Sequence, residues 1–166
     1  ILKSKKYLKV SSSDFDLIPS ENQKKIECKL AAVLIPIIFD DDGAKVVFTK
    51  RAKNLKDHPD QIAFPGGKVE QNDYSEVETV VRECFEEINL HPYNLKIIGR
   101  LPKHDTITGY SICPFVGLID NYNQLKAELS EVSEIFRVPL NFLFNKENMK
   151  FRYYKLNSQE RGYYTI

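Results

Sequence analysis

Cysteine is scarce: Cys28, Cys84 and Cys113 are odd in number, scattered and set in apolar segments. That argues against a disulfide framework, and the spacing matches no metal motif, so the three read as buried, reduced thiols of a cytoplasmic protein. Charge of one sign is also missing. Lysine and arginine number 24 against 23 acidic residues, a formal net charge of +1, which excludes a long-range field steering toward nucleic acid or an anionic membrane. Any phosphate recognition has to be local. No apolar run approaches the roughly 20 residues that cross a bilayer. Internal repeats and low-complexity linkers are absent, so residues 1–166 read as a single domain with an irregular polar arm over 1–27. The chain opens at Ile1 and ends on Tyr163-Tyr164-Thr165-Ile166, which reads as mid-strand, so both ends are expected to be cut.

What is present alternates between strand and helix signals. Ser11 to Asp14 and Pro19-Ser20-Glu21 mark possible helix starts in the arm. Leu30 to Phe39 is a continuous, β-branched run, hence a buried strand, and Lys45 to Lys50 returns as a second one. Asp40-Asp41-Asp42-Gly43 between them lacks the rest of a calcium loop and reads as a solvated hairpin turn. Further strands are expected at 95–101, 107–119 and 134–138, a short helix at 139–145, and an aromatic hairpin over 150–166 turning near Asn157-Ser158. Strands on both sides of a central helix, with hairpin connections, predict an α+β or mixed α/β layered fold.

The strongest helix signal spans Ser75 to Ile88. Ser75 and Glu78 form a capping box, and Asn89 with Pro92 close behind reads as a left-handed stop. Val77, Val80, Val81, Cys84, Phe85 and Ile88 fall at helical spacing and predict one buried stripe; Thr79, Arg82, Glu83, Glu86 and Glu87 take the other side. Glu83 and Glu87 are four apart with Glu86 beside both, and Arg82 can relieve only part of that repulsion. Carboxylates crowded in this way suit Mg²⁺ or Mn²⁺, and Phe64-Pro65-Gly66-Gly67 just upstream lets backbone approach a phosphate. Cations so held can offset the charge of a diphosphate and activate water for in-line attack.

These residues resemble the Nudix hydrolase signature. Gly67 opens it, and Arg82-Glu83-Cys84-Phe85-Glu86-Glu87-Ile88-Asn89-Leu90 closes it. The chain departs from the pattern at three points: Asp73 replaces the first glutamate, eight residues rather than seven precede Arg82, and Asn89 replaces the last glycine. Upstream, Phe48-Thr49-Lys50-Arg51-Ala52 and Leu55 to Gly67 resemble the extra signature of the coenzyme A pyrophosphatase branch, with Lys56 where arginine is usual and Asp60 where glycine is usual. The likeness continues through Thr106 to Tyr110, Pro114 to Gly117 and Glu131 to Leu140, and so covers about 28–160.

The resemblance implies a mixed α/β/α sandwich, a central mixed sheet with the signature helix packed on it. Its closing C-terminal helix is expected to lie outside residues 1–166. It also implies hydrolysis of coenzyme A, or its acyl or oxidised forms, to 3′,5′-ADP and a 4′-phosphopantetheine. Metal ligands carried over are Glu83, Glu86, Glu87 and the backbone of Gly66, with Glu83 and Glu87 the leading catalytic pair. Arg82 reads as an orienting partner, and Glu131, with Glu134 behind it, as the candidate base. Of the cations Lys50, Arg51, Lys53, Lys56 and Lys68, Arg51 and Lys68 are the expected phosphate contacts, beside the backbone of Gly67. His58 is expected to make a structural hydrogen bond, and Phe64 and Pro65 to fix the glycine turn by packing. The expected partner is a small nucleoside diphosphate of the coenzyme A type, bound by a monomer or homodimer, with neither nucleic acid nor membrane involved. The alternatives are the same chemistry on ADP-ribose or a dinucleotide, or a silent Nudix-fold domain that only binds.

Overall fold

The computed structural model describes residues 12–14, 27–156 and 159–166. Its strands are β1 (Ser12–Ser13), β2 (Lys29–Asp40), β3 (Gly43–Arg51), β4 (Ile62–Ala63), β5 (Gly66–Lys68), β6 (Leu95–Arg100), β7 (His104–Asp105), β8 (Tyr110–Ile119), β9 (Val132–Pro139), β10 (Lys150–Leu156) and β11 (Gln159–Thr165). Helix α1 covers Glu76–Ile88 and α2 covers Leu140–Phe144. Nine strands form one mixed sheet in the order β1-β7-β8-β2-β3-β4, with β5 also on β2, β6 on β8 and β9 on β3. β10 and β11 make a separate antiparallel hairpin.

β2 can be apolar throughout because it is central. β8 runs parallel along one edge, while the other edge is shared: Ala31–Val33 pair with β5 and Ile37–Asp40 with β3. Pro36, which has no N–H to donate, lies in the interval where β2 changes partner. Into that fork runs the Phe64–Gly67 turn, with the Leu34 N–H on the Pro65 carbonyl at 2.9 Å. The core fills the space between sheet and α1: Ala32, Leu34, Ile38, Val47, Cys113 and Phe115 meet Val80, Cys84 and Ile88. α2 packs on β3 and β9.

The α+β architecture is as expected, with local differences. The strand expected at 107–119 begins only at Tyr110, as β8; the residues before it form a turn at Thr106–Gly109, in which Gly109 takes φ 84°, and the turn joins β8 to the short β7. β4 and β5 are too short for any periodicity to show. Ser12–Ser13 form a strand parallel to His104–Asp105 rather than a helix start, while Pro19 to Glu21 and the Asn157-Ser158 turn lie outside the described residues. The Asp40–Gly43 turn is solvated as expected: Lys45 Nζ bridges Asp40 at 2.7 Å and Asp42 at 3.1 Å, holding the Asp40 carboxyl below its usual range. None of the three cysteines is in a disulfide, and Cys84 and Cys113 are buried. Among the described residues no helix is long and apolar enough to cross a membrane.

α1 is capped as the sequence indicates. Ser75 Oγ accepts from the Glu78 N–H at 3.3 Å, Glu78 reaches back to the Tyr74 N–H, and Asn89 stands in left-handed backbone with φ 54°. The buried stripe is another matter. Val80, Cys84 and Ile88 are buried, but Val77 and Phe85 are exposed, and Thr79 and Glu87 are buried in their place. The covered arc is turned by roughly 80° from the expected one, at about 100° per residue. β5 and the glycine turn lie over the Thr79–Glu87 side, whereas Phe85 sets its ring edge-on to His91, which stacks in turn on Tyr93.

Candidate active site

The site is built where the glycine turn crosses the acidic side of α1. Phe64 stacks on Phe48 with centroids 4.9 Å apart, Pro65 is buried, and the turn is held to β2. Gly66 has φ 147°, and a Cβ there would run into the Ala32 carbonyl and the Val33 backbone. A Cβ on Gly67 would instead overlap the Glu83 carboxylate. The two positions should therefore fail differently. Gly66→Ala meets rigid backbone and is expected to lower the melting temperature by several degrees or prevent folding. Gly67→Ala displaces a flexible acid, so it should fold with near wild-type stability and lose activity; thermal melts beside initial rates separate the two outcomes.

Glu87 is 4% exposed, and its Oε2 accepts the Gly66 N–H at 3.1 Å. Burial pushes its carboxyl up to about 7; the charges of Glu83 and Glu131 add to this, while the Gly66 N–H and Arg51 oppose it. Burial also raises Glu83, with Arg82 working against the rise. Glu86 is exposed on the rim. Two acids are thus pressed against a glycine turn in a setting that disfavours their charge, which a divalent cation would relieve.

Arg82 ties the acids together. Its Nη1 donates to Glu83 at 2.9 Å and Glu86 at 3.1 Å, and its Nη2 to the Lys68 carbonyl at 3.2 Å. From the other side Asp73 takes Nε at 3.1 Å and Nη2 at 2.9 Å, and also accepts from the Thr79 hydroxyl and the Glu70 N–H. Four donors hold the Asp73 carboxyl well below the usual range, the Arg82 bond foremost, and Arg82 is raised in turn. Sequence reasoning left Asp73 without a role and put Thr79 on the open face. The available signal was an acid nine residues before an arginine at a helix start.

Glu131 comes from a loop stitched to both neighbours. Lys126 and Glu128 N–H groups bond the Ile88 and Glu87 carbonyls at 3.0 and 2.9 Å, and the Ala52 N–H bonds the Glu131 carbonyl at 2.8 Å. The loop brings the Glu131 charge to bear on Glu83 and Glu87. Arg51 ends β3 with its Nε buried and, among the described residues, without a hydrogen-bond partner. Lys68 gives its carbonyl to Arg82 and leaves its side chain exposed. Lys50 is spent on Asp60 at 3.1 Å, and Glu134 faces it in the β9 register, exposed. The structural bond expected of His58 is not made among the described residues: it is exposed, in left-handed backbone with φ 53°.

Among the described residues no three His, Cys, Asp or Glu side chains already converge as a metal cage. The reason is local, since Arg82 occupies Glu83 and Glu86 while Gly66 occupies Glu87. The donors are all oxygens, which suits a hard cation.

Residues 29–157 match the NUDIX domain family model. The chain belongs to the Nudix family. A curated relative, "Uncharacterized Nudix hydrolase NudL" of Enterobacter sp. (strain 638), is 36% identical over 152 residues, 91% of this chain and 77% of that protein. Among solved structures, the Nudix hydrolase RenU from M. smegmatis superposes with a TM-score of 0.58 at 18% identity, over 69% of this chain and 73% of that one. A C. elegans Ap4A hydrolase gives 0.58 at 17% identity, over 67% and 80%. These two likenesses show the fold. The protein is accordingly a Nudix hydrolase, of the pyrophosphatase type, and the family works on nucleoside diphosphate derivatives with divalent metal ions. Its Nudix helix is α1, and the departures from the signature have a physical reading. The extra residue and shorter acid let Asp73 clamp Arg82 from outside the helix, and Asn89 adopts the left-handed cap that glycine usually supplies.

Proposed function

We propose that this Nudix hydrolase splits the diphosphate of coenzyme A or its derivatives into 3′,5′-ADP and a 4′-phosphopantetheine. One observation supports this reading above the others. The segment that resembles the coenzyme A branch is the same one that braces the glycine turn: the Thr49 hydroxyl bonds the Ala63 carbonyl at 3.1 Å, the Arg51 N–H bonds the Gln61 carbonyl at 2.9 Å, and Phe48 stacks on Phe64. The three thiols in no disulfide fit a cytoplasmic setting.

Glu83, Glu86, Glu87 and the backbone of Gly66 are the residues to hold Mg²⁺ or Mn²⁺. When bound, the cation offsets diphosphate charge and makes water a better nucleophile at neutral pH. Gly67, bare of a side chain, admits the diphosphate to the backbone, and Arg51 and Lys68 hold its oxygens. Glu131 takes the proton of the attacking water as its oxygen bonds one phosphorus and the bridging oxygen leaves with the other phosphate. Arg82, anchored by Asp73, orients Glu83 and Glu86.

The test is a substrate panel of coenzyme A, ADP-ribose and a dinucleoside polyphosphate with Mg²⁺ or Mn²⁺, read by product chromatography. Coenzyme A should give 3′,5′-ADP at the highest kcat/KM. If phosphopantetheine never forms while ADP-ribose is consumed, the substrate assignment is wrong. If no member of the panel is cleaved with either metal, a silent binding domain replaces it.

A further inference from the structure

Arg51 stands where three parts of the site meet. Strand alternation puts Val47, Thr49 and Arg51 on one side of β3, and Val47 packs with Val80, Cys84 and Ile88, so the Arg51 side chain leaves the strand on the α1 side. Its backbone is fixed from both neighbours. The Arg51 N–H bonds the Gln61 carbonyl, on the way to the glycine turn, at 2.9 Å, and the Ala52 N–H bonds the Glu131 carbonyl at 2.8 Å. On β9, Ser133 is an extra residue between the Lys50–Glu134 and Arg51–Val132 pairs. Its hydroxyl donates to the Lys50 carbonyl at 3.1 Å and the Arg51 carbonyl at 3.3 Å, which pins this bulge against the end of β3.

The guanidinium so placed is unsatisfied. Lys50 is taken up by Asp60, and Arg82 by Asp73, Glu83 and Glu86. Among the described residues Arg51 has no ion pair, and its Nε is buried without a hydrogen-bond partner. A buried donor left unpaired costs free energy that a ligand with matching acceptors recovers, and phosphate oxygens match a planar fork of N–H groups. The acids of α1 do not fill that role, since Arg82 holds Glu83 and Glu86 while the Gly66 N–H holds Glu87. Arg51 is nevertheless close enough for its charge to favour the ionised form of Glu87. One cation therefore bears on both ligands of the site: it repels a metal ion at Glu87 and attracts a diphosphate.

We propose that Arg51 couples the two ligands: its charge weakens the hold on a divalent cation while the diphosphate is absent, and its fork grips the diphosphate on entry, so that metal and substrate bind better together than apart. The inference rests on the metal and diphosphate reading above and goes beyond it by giving one residue opposite effects on the two.

Calorimetric titration of wild type, Arg51→Met and Arg51→Lys tests it; methionine keeps an apolar stem, and lysine keeps the charge without the fork. Mn²⁺ added to nucleotide-free protein should bind Arg51→Met about tenfold more tightly than wild type, and Arg51→Lys much as wild type. α,β-Methylene-ADP, whose bridging carbon blocks cleavage, should bind both variants about tenfold more weakly at saturating Mn²⁺. A merely structural role would weaken both ligands together, so the opposite signs in Arg51→Met are the signature. Mn²⁺ held no more tightly by Arg51→Met, or nucleotide held by both variants as by wild type, overturns the proposal and leaves the metal site standing. Should Arg51→Met not fold, Arg51→Lys decides alone: weakened nucleotide with unchanged Mn²⁺ supports the coupling, and unchanged nucleotide overturns it. No Mn²⁺ binding to wild type, or binding that persists undiminished in Glu87→Gln, overturns the metal reading and the coupling with it.

Discussion

Replacing Glu87 by glutamine should lower kcat by about three orders of magnitude and, in the same protein stripped of metal, raise the melting temperature at pH 8. The first effect follows from removing a charged ligand: several kcal/mol of transition-state charge stabilisation corresponds to about 10³ in rate. The second follows from burial. The Glu87 carboxyl is shifted from 4.5 to about 7 in the folded protein, so the folded state binds more protons than the unfolded chain across that window. Metal-free stability must then fall as pH rises from about 4.5 to 7, by on the order of 3 kcal/mol, and stay low above it. Glutamine removes the charge while its carbonyl can still accept the Gly66 N–H. The gain at pH 8 should be roughly 5–10 °C for a chain of this size, and absent at pH 4.5. Mg²⁺ or Mn²⁺ should stabilise wild type at pH 8 and leave the variant unmoved. Unchanged turnover would remove Glu87 from the metal site; an unchanged melting temperature would show that the buried charge lies elsewhere.

The opposition between those two effects marks the limit of what could be read from residue order. The helix itself was legible, because Ser75, Glu78 and Asn89 are caps whose chemistry acts within one turn. The three glutamates were legible as a site because like charges on adjacent turns need a reason. That Glu87 is the buried one was not, since apolar periodicity can place only apolar residues. It put Val77 and Phe85 inside, and the face was decided by β5 and the glycine turn, segments three or four residues long that carry no period. The clamp on Arg82 was hidden for a related reason. Asp73 departs from the family pattern, and its four donors come from a loop, a helix and a hydroxyl that only the fold brings together. Long strands announced themselves through composition. The Glu131 loop, fixed by backbone bonds to α1 and β3, could be proposed only by likeness.

Asp73→Asn should expose how much that clamp contributes. Every group facing the Asp73 oxygens is a donor, so an amide nitrogen in place of either oxygen sets donor against donor. The carboxylate is 5% exposed but Arg82 is 25% exposed, so the loss should be about 2 kcal/mol, short of the 3–5 for breaking a fully buried pair. Because the folded Asp73 carboxyl lies well below its usual range, this stability is present above pH 4 and lost as pH falls below it. Glu87 has the opposite sign at higher pH. Metal-free wild type should therefore be most stable near pH 4.5, and Asp73→Asn should shrink the acid limb, leaving the smaller share of Asp40 and Glu76, without changing the limb above it. The catalytic consequence is separable from the structural one. Released from Asp73, Arg82 can settle wholly on Glu83 and Glu86 and compete with the cation for them. The metal concentration giving half-maximal rate should rise about 10–100-fold, with a smaller change in kcat at saturation. A variant that loses stability yet keeps the wild-type metal dependence would reduce Asp73 to a structural staple and leave the orientation of the acids to be explained by α1 alone.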